Sequence, residues 1–137
     1  MHEAYKAVYE GKTGELVEKK SRFIATVQPV KSEEEAIFML SLLSGRDHQV
    51  MTGMTVLRDD VCLSCTEVTD IHFRNLTKKE ITAYVATGEP MDKAGAYGIQ
   101  GGAALFAEKM VGDYYNVMGL PVCKLRMLLE QIAPELF

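Results

Sequence analysis

The sequence has no tryptophan, few prolines and only three cysteines among its 137 residues. A disulfide scaffold needs a larger and even set of cysteines, so this content excludes one and fits a reducing compartment. No apolar run approaches the roughly 20 residues that cross a bilayer, and the first residues lack the pattern of a secretory leader. We therefore expect a cytoplasmic protein that does not associate with membranes.

Positive charge is also in short supply. The chain carries 15 Lys and Arg residues against 19 Asp and Glu residues, for a net charge of −4. A nucleic-acid polymer is usually bound by a basic face, so we expect no such partner. A small triphosphate remains possible because it needs only a few local cations. The hydrophobic content of 47% is ordinary, and the length predicts one domain, residues 1–137.

The spacing of apolar residues predicts an α/β fold with a mixed sheet and flanking helices. Short runs rich in β-forming residues predict early strands. Longer apolar patterns predict further strands in the middle and towards the end of the chain. The expected strands are at residues 5–9, 15–19, 23–27, 50–57, 61–73 and 105–111.

Helix signals occur at three places. The pattern Ser-x-x-Glu at residues 32–35 and the pattern Thr-x-x-Glu at residues 77–80 are capping boxes that open helices. Pro121 suits the first turn of a final helix, which Pro134 ends. Glu67 lies on the otherwise apolar face of the strand at 61–73. Either a bulge changes the register there, or the carboxylate points into a cleft.

Residues 88–101, Gly-Glu-Pro-Met-Asp-Lys-Ala-Gly-Ala-Tyr-Gly-Ile-Gln-Gly, are the most informative segment. Four glycines allow the backbone to approach a ligand closely. A segment that only packs would not need so many functional groups, so we predict that it faces a ligand. It is neither a P-loop nor a dinucleotide-binding glycine motif. Its chemical groups are those of Glu89, Asp92, Lys93, Tyr97 and Gln100.

Several other residues admit two interpretations. The Gln100 amide can hydrogen-bond to the edge of a nucleobase, or to the backbone of its own loop. Arg46 can donate two hydrogen bonds to a phosphate, or lie solvated after a helix. His48 fits a structural role. Cys62 and Cys65 have the spacing of half a zinc site, but no second pair exists, so we expect ordinary cysteines.

These segments resemble motifs of the Maf family of nucleoside triphosphate pyrophosphatases. Residues 88–101 are similar to the family signature. Residues 43–50, Leu-Ser-Gly-Arg-Asp-His-Gln-Val, resemble its Leu-Ser-Gly-Arg-Thr-His-x-Val motif, and residues 66–69 resemble its Thr-Glu-Val strand. Residues 112–121, Gly-Asp-Tyr-Tyr-Asn-Val-Met-Gly-Leu-Pro, resemble its closing motif. The likeness spans residues 31–137, and its Gly-Ile-Gln form resembles the branch that prefers dTTP and UTP.

The resemblance implies a Maf-like, anvil-type fold for residues 31–137. It also implies hydrolysis of a nucleoside triphosphate to the monophosphate and pyrophosphate, with Mg²⁺ or Mn²⁺ as cofactor. A homodimer is a further expectation. By resemblance, Gln100 selects the base, and Lys93 and Arg46 contact phosphates. Glu89 and Asp92 hold Lys93 or contribute to a metal shell, while Tyr97 lines the pocket.

The same comparison of motifs reveals differences. Family members carry a Ser-x-Ser-Pro-Arg-Arg phosphate loop, a Gly-Ala-Asp-Thr strand with the proposed base, and a Gly-Lys-Pro lysine. The sequence contains none of these motifs. Residues 1–30 instead resemble the opening of the IMPACT family, through the segments 5–10 and 17–27. We therefore expect a hybrid with impaired turnover, whose catalytic residues the sequence does not identify. The alternative is a non-catalytic nucleotide-binding or structural protein.

Overall fold

A computed structural model describes residues 13–18, 21–26 and 30–137. The strands are β1 Thr13–Glu18, β2 Ser21–Thr26, β3 Asp47–Arg58, β4 Val61–Phe73 and β5 Ala107–Val111. The α-helices are α1 Glu33–Leu43, α2 Lys78–Val85, α3 Tyr114–Met118 and α4 Val122–Ile132. Short 3₁₀ helices lie at Glu89–Asp92, Ala94–Ala96, Gly102–Leu105 and Pro134–Leu136. The predicted α/β class is confirmed, while the strand predicted at 5–9 lies outside the described residues.

The described strands pair antiparallel throughout, where the sequence predicts a mixed sheet. β1 and β2 form a two-stranded hairpin, and β3, β4 and β5 form a second sheet in that order. β3 and β4 are in continuous register over their length. The predicted bulge at Glu67 is therefore wrong, because Glu67 stands opposite Thr52 in regular pairing. The irregularity lies instead between β4 and β5, at His72 and Phe73.

One face of this sheet is covered, and Glu67 lies on it. Residues of β3 and β4 that stand opposite each other there include Val50 with Thr69. α4 packs against both strands. The Glu67 carboxylate lies 3.7 Å from the ammonium group of Lys124 on α4. The alternation of side chains along β4 directs the Glu67 carboxylate towards the core. The positive charge of Lys124 compensates the negative charge of this carboxylate.

The two predicted helix starts differ in detail. The capping box at α2 is complete, because Thr77 and Glu80 each accept a backbone N–H from the other. At α1 only half of it forms, since Ser32 accepts from the Glu35 N–H while the Glu35 carboxylate accepts from the Lys31 N–H. Both arrangements satisfy backbone donors that the first helical turn leaves free. In the described ranges, no helix is long and apolar enough to cross a bilayer.

The sequence prediction missed α3, which a buried hydrogen-bond junction fixes to the sheet. The Thr69 hydroxyl donates to the Asp113 carbonyl (2.9 Å) and accepts from the Asp113 N–H (3.1 Å). The Asn116 amide nitrogen donates to Thr69 Oγ1 and to the Val50 carbonyl, each at 3.0 Å. Gly112 is required here because its φ is +129° and a Cβ would lie 2.9 Å from the Thr69 Cα.

Replacing Thr69 with valine should destabilise the protein by about 1–3 kcal/mol. The shape is kept, but Asn116 and Asp113 lose their buried partner. Urea unfolding followed by circular dichroism measures the change. Thr55→Val is the matched control, since the Thr55 hydroxyl meets Ser64 on the exposed face of the same hairpin. If both variants lost the same free energy of unfolding, the hydrogen bonds of Thr69 would not have the stabilising role proposed for them.

Candidate functional site

An open cleft of about 890 Å³ lies where the start of β3, the segment 88–101 and α3 meet. The end of α1 closes one side through Leu43. The walls combine apolar side chains with amides and hydroxyls. The lining residues are Leu43, His48, Gln49, Val50, Met51, Thr52, Glu89, Lys93, Gly95, Tyr97, Gly98, Ile99, Gln100, Gly101, Asn116, Val117, Met118 and Gly119.

The cleft brings together four of the six residues singled out from the sequence. Glu89, Lys93, Tyr97 and Gln100 all line it. Arg46 does not: its side chain is exposed, and its carbonyl accepts the Phe73 N–H at 3.1 Å. The remaining residue, at position 92, ends the first 3₁₀ helix of the segment, and its side chain lies outside the described part of the structure.

Glu89 is the residue around which the ligand-facing segment folds. Its Oε1 accepts the Tyr84 hydroxyl at 2.8 Å, and its Oε2 accepts the Gly102 N–H at 3.1 Å. The Tyr84 oxygen in turn accepts the Gly98 N–H at 3.3 Å. A Cβ at position 101 would overlap the Glu89 carboxylate, so a side chain there would displace this carboxylate from its hydrogen bonds. The glycine spacing thus serves the internal packing of the segment.

Lys93 and Glu89 approach each other over Gly98. A Cβ at Gly98 would lie 3.3 Å from the Lys93 Cε and 3.6 Å from the Glu89 Oε1. Among the described lining residues, these two carry the formal charges of the cleft. The glycine therefore leaves room for an ammonium group beside a carboxylate at the cleft wall.

His48 is a cleft residue whose contacts the sequence did not reveal. Its Nε2 lies 2.7 Å from the Tyr97 hydroxyl oxygen. The ring centroids of Phe73 and Tyr97 lie 4.9 and 5.5 Å from that of His48, both edge-on. Burial lowers the pKa of His48, with Asp47 opposing that shift, and burial raises the pKa of Tyr97 to about 12. The alternation of side chains along β3 places His48 on the same face as Val50, and this pattern could have located His48 from the sequence.

Asn116 is a cleft residue that the sequence did not single out. It is fully buried, and its amide nitrogen donates to two partners. Its Oδ1 is buried and has no hydrogen-bond partner in the part of the chain that the structure describes. The orientation of the amide is fixed, since the flipped form would place the oxygen against the Val50 carbonyl. The sequence signal was an asparagine within the closing motif at 112–121.

The described side chains do not form a metal site on their own. Within residues 30–137, leaving out 92 and 94, no group of three or more His, Cys, Asp or Glu side chains is placed to hold an ion. Both oxygens of Glu89 already accept hydrogen bonds from the protein. Cys62 and Cys65 form no disulfide, and the absence of a zinc site at this pair stays a prediction. A divalent cation would have to come with other ligands, such as phosphates.

The described residues define an α/β protein with an open, apolar-walled cleft that carries a few amides and hydroxyls. Pockets of this kind use a few placed amides and hydroxyls for specificity. Residues 21–132 match the Maf-like protein family, so the chain belongs to that family. The fold of the described residues, with its three-stranded antiparallel sheet and flanking helices, is consistent with this membership.

Three relatives are named dTTP/UTP pyrophosphatase. The Bacillus pumilus protein is 52% identical over 100 residues, which cover 73% of this chain and 53% of the relative. The Alkaliphilus metalliredigens protein is 52% identical over 103 residues, covering 74% and 54%. The Thermococcus onnurineus protein is 56% identical over 100 residues, covering 71% and 54%. The chain therefore spans about half the length of the curated relatives it matches.

The family match refines the predicted division of the chain. It begins at residue 21, earlier than the boundary expected at residue 31. The family match thus includes β2 and part of the segment assigned to an IMPACT-like opening. No comparison supports the IMPACT resemblance, which stays a prediction from the sequence.

Replacing His48 with glutamine should flatten the dependence of stability on pH. The pKa of His48 is lowered in the folded state, so the unfolded state binds its proton more readily. Its contribution to stability is present above about pH 6.5, the ordinary value, and is lost as the pH falls through the folded-state pKa. Urea unfolding between pH 8 and pH 5 measures this slope. Parallel slopes in wild type and variant would contradict the assignment.

Proposed function

We propose that the cleft binds the base of a pyrimidine nucleoside triphosphate, as part of a dTTP/UTP pyrophosphatase pocket. The reaction is hydrolysis of the triphosphate to the monophosphate and pyrophosphate. The observation that carries this proposal is the shared location of Gln100, Tyr97 and Lys93 in one cleft of a Maf-family chain. The names of the relatives support the substrate class.

Gln100 is proposed to contact the base edge. Its side chain is exposed at the cleft, and the amide makes no hydrogen bond to the described part of the protein. This favours the ligand-binding interpretation over a loop amide that bonds its own backbone. An amide offers a donor and an acceptor side by side, which matches the carbonyl and N–H groups along the edge of uracil or thymine.

Lys93 is proposed to contact the phosphates. It lines the cleft and extends along Gly98. Arg46 remains a weaker candidate for the same role, because it lies outside the cleft lining. Maf-family pyrophosphatases generally use a divalent cation, and Mg²⁺ or Mn²⁺ would be held here mainly by the phosphates. Residue 92 and Glu89 are proposed to support the wall around Lys93.

We further propose that the 137-residue chain by itself binds nucleotide but turns it over poorly. Hydrolysis requires a base for water and cations on the phosphates. The family motifs that supply them do not occur in this sequence. A location in the cytoplasm, a homodimer and the hybrid origin of residues 1–30 belong to the proposal as well. If turnover is absent altogether, the chain is a non-catalytic nucleotide-binding protein.

Gln100→Ala should weaken dUTP binding about 2- to 10-fold, because the contact to the base edge is lost. The preference for dUTP over dGTP should fall with it. Isothermal titration calorimetry in the presence of Mg²⁺ measures both affinities. Gln131→Ala is the matched control, since that glutamine lies on the exposed face of α4 and bonds the Met127 carbonyl. Unchanged base preference in Gln100→Ala would argue against this contact.

The isolated chain should release pyrophosphate from dTTP or UTP at a rate many orders of magnitude below that of ordinary enzymes. Groups that act as a unit lose most of their effect when one is absent. A coupled pyrophosphate assay with Mg²⁺ and with Mn²⁺ measures the rate. A turnover number near the usual ~10 per second would disprove the proposed impairment. The pyrophosphatase assignment would then stand, with a base that the sequence did not identify.

A further inference from the structure

We propose that His48 is a positioning residue that makes the Tyr97 hydroxyl a hydrogen-bond donor to a ring carbonyl of the bound base. This inference rests on the proposed function, and it identifies the His48–Tyr97 pair as a determinant of base specificity. Three observations carry it: the His48–Tyr97 contact, the fixed setting of the His48 ring, and the burial of its second nitrogen.

The contact is short and lies at the cleft. The Tyr97 hydroxyl oxygen is 2.7 Å from His48 Nε2, and both residues line the cleft wall. Tyr97 is only 8% exposed, so few waters compete for its hydroxyl. A hydrogen bond in such an environment is stronger and better defined in direction than one in bulk water.

Aromatic neighbours fix the imidazole ring. The edge of Phe73 packs against it at a centroid distance of 4.9 Å, with an interplanar angle of 84°. Phe73 is fully buried and also contacts Tyr97 at 4.8 Å. The three rings form one packed group, which holds Nε2 towards the hydroxyl. A ring flip would exchange Nε2 for a carbon and lose the hydrogen bond.

The second ring nitrogen decides which partner donates. His48 Nδ1 is buried and has no hydrogen-bond partner among the described residues. If Tyr97 donated to Nε2, the proton of the neutral ring would sit on Nδ1 as an orphaned N–H group. Orphaned buried N–H groups are rarer than acceptors left without a partner. The proton is therefore on Nε2, which donates to the tyrosine oxygen. His48 thus occupies the acceptor side of the hydroxyl, whose own proton is left for a ligand.

A hydroxyl whose oxygen already accepts from His48, and whose proton is left for the ligand, distinguishes between pyrimidines. Uracil and thymine carry a carbonyl oxygen at position 4, whereas cytosine carries an amino group there. The Tyr97 hydroxyl would donate to the carbonyl but would meet another donor in cytosine. A site built to hydrogen-bond a particular group rejects ligands that leave its polar groups unpaired. The His48–Tyr97 pair would therefore select uracil and thymine against cytosine.

The test compares dUTP and dCTP binding by calorimetry with Mg²⁺, using the full chain. Tyr97→Phe should lower the preference for dUTP roughly 2- to 10-fold, because one hydrogen bond is lost. His48→Phe keeps the ring packing but removes the donor, and should lower the preference to the same extent. His48→Gln, whose amide can still donate to Tyr97, should retain it. Tyr114→Phe is the control, since Tyr114 is exposed on α3 outside the cleft.

If either Tyr97→Phe or His48→Phe kept the wild-type preference for dUTP over dCTP, the inference would be overturned and the proposed function would remain intact. A wild-type chain that binds neither nucleotide would overturn both. A second measurement needs no nucleotide and no variant that must fold well. Long-range ¹H–¹⁵N spectra at pH 8 show which ring nitrogen of His48 carries the proton. Protonation at Nε2 supports the inference, and protonation at Nδ1 overturns it.

Discussion

The buried junction of Thr69, Asp113 and Asn116 is the interaction on which the site depends. A single hydroxyl donates to one group and accepts from two, and the Asn116 amide extends the network to the Val50 carbonyl on the neighbouring strand. β3, β4 and α3 are thereby joined at one point. β3 and α3 form two walls of the cleft, so these hydrogen bonds set the width of the cleft. Breaking them would leave buried polar groups unpaired, which is costly.

The glycine-rich segment at residues 88–101 forms the opposite wall of the cleft, and hydrogen bonds to Glu89 hold it in place. Glu89 accepts hydrogen bonds from the Tyr84 side chain and from the Gly102 backbone, and so ties α2 to both halves of the glycine-rich segment. A loop that is already held in place loses less conformational entropy when a ligand binds. The carboxylate that the sequence suggested for a metal shell thus has an evident structural task.

The sequence predicted what is local and missed what is distant in the chain. The bounds of β4, the cap of α2 and the functional groups of residues 88–101, which line the cleft, follow from alternation, capping chemistry and composition. The His48–Tyr97 and Asn116–Val50 contacts join residues 49 and 66 positions apart, and no local pattern encodes them. α3 was missed because its five residues are too few for a helical period. Glu67 misled the register prediction because its partner, Lys124, comes from a remote helix.

The charge balance of the cleft indicates which part of a nucleotide it would contact. The described lining offers one ammonium group and one carboxylate, with amides, an imidazole, two hydroxyls and apolar walls around them. Such a surface suits an uncharged ring far better than a triphosphate, which needs several cations. On the proposed function, the matched part of the chain therefore reads the base and contributes Lys93 to the phosphates, while the rest of the phosphate neutralisation depends on family motifs that this sequence does not contain. Base selection and phosphate chemistry are then physically separable. A hydrogen bond to a neutral ring carbonyl does not require the phosphates to be neutralised first, so base preference should persist where turnover does not.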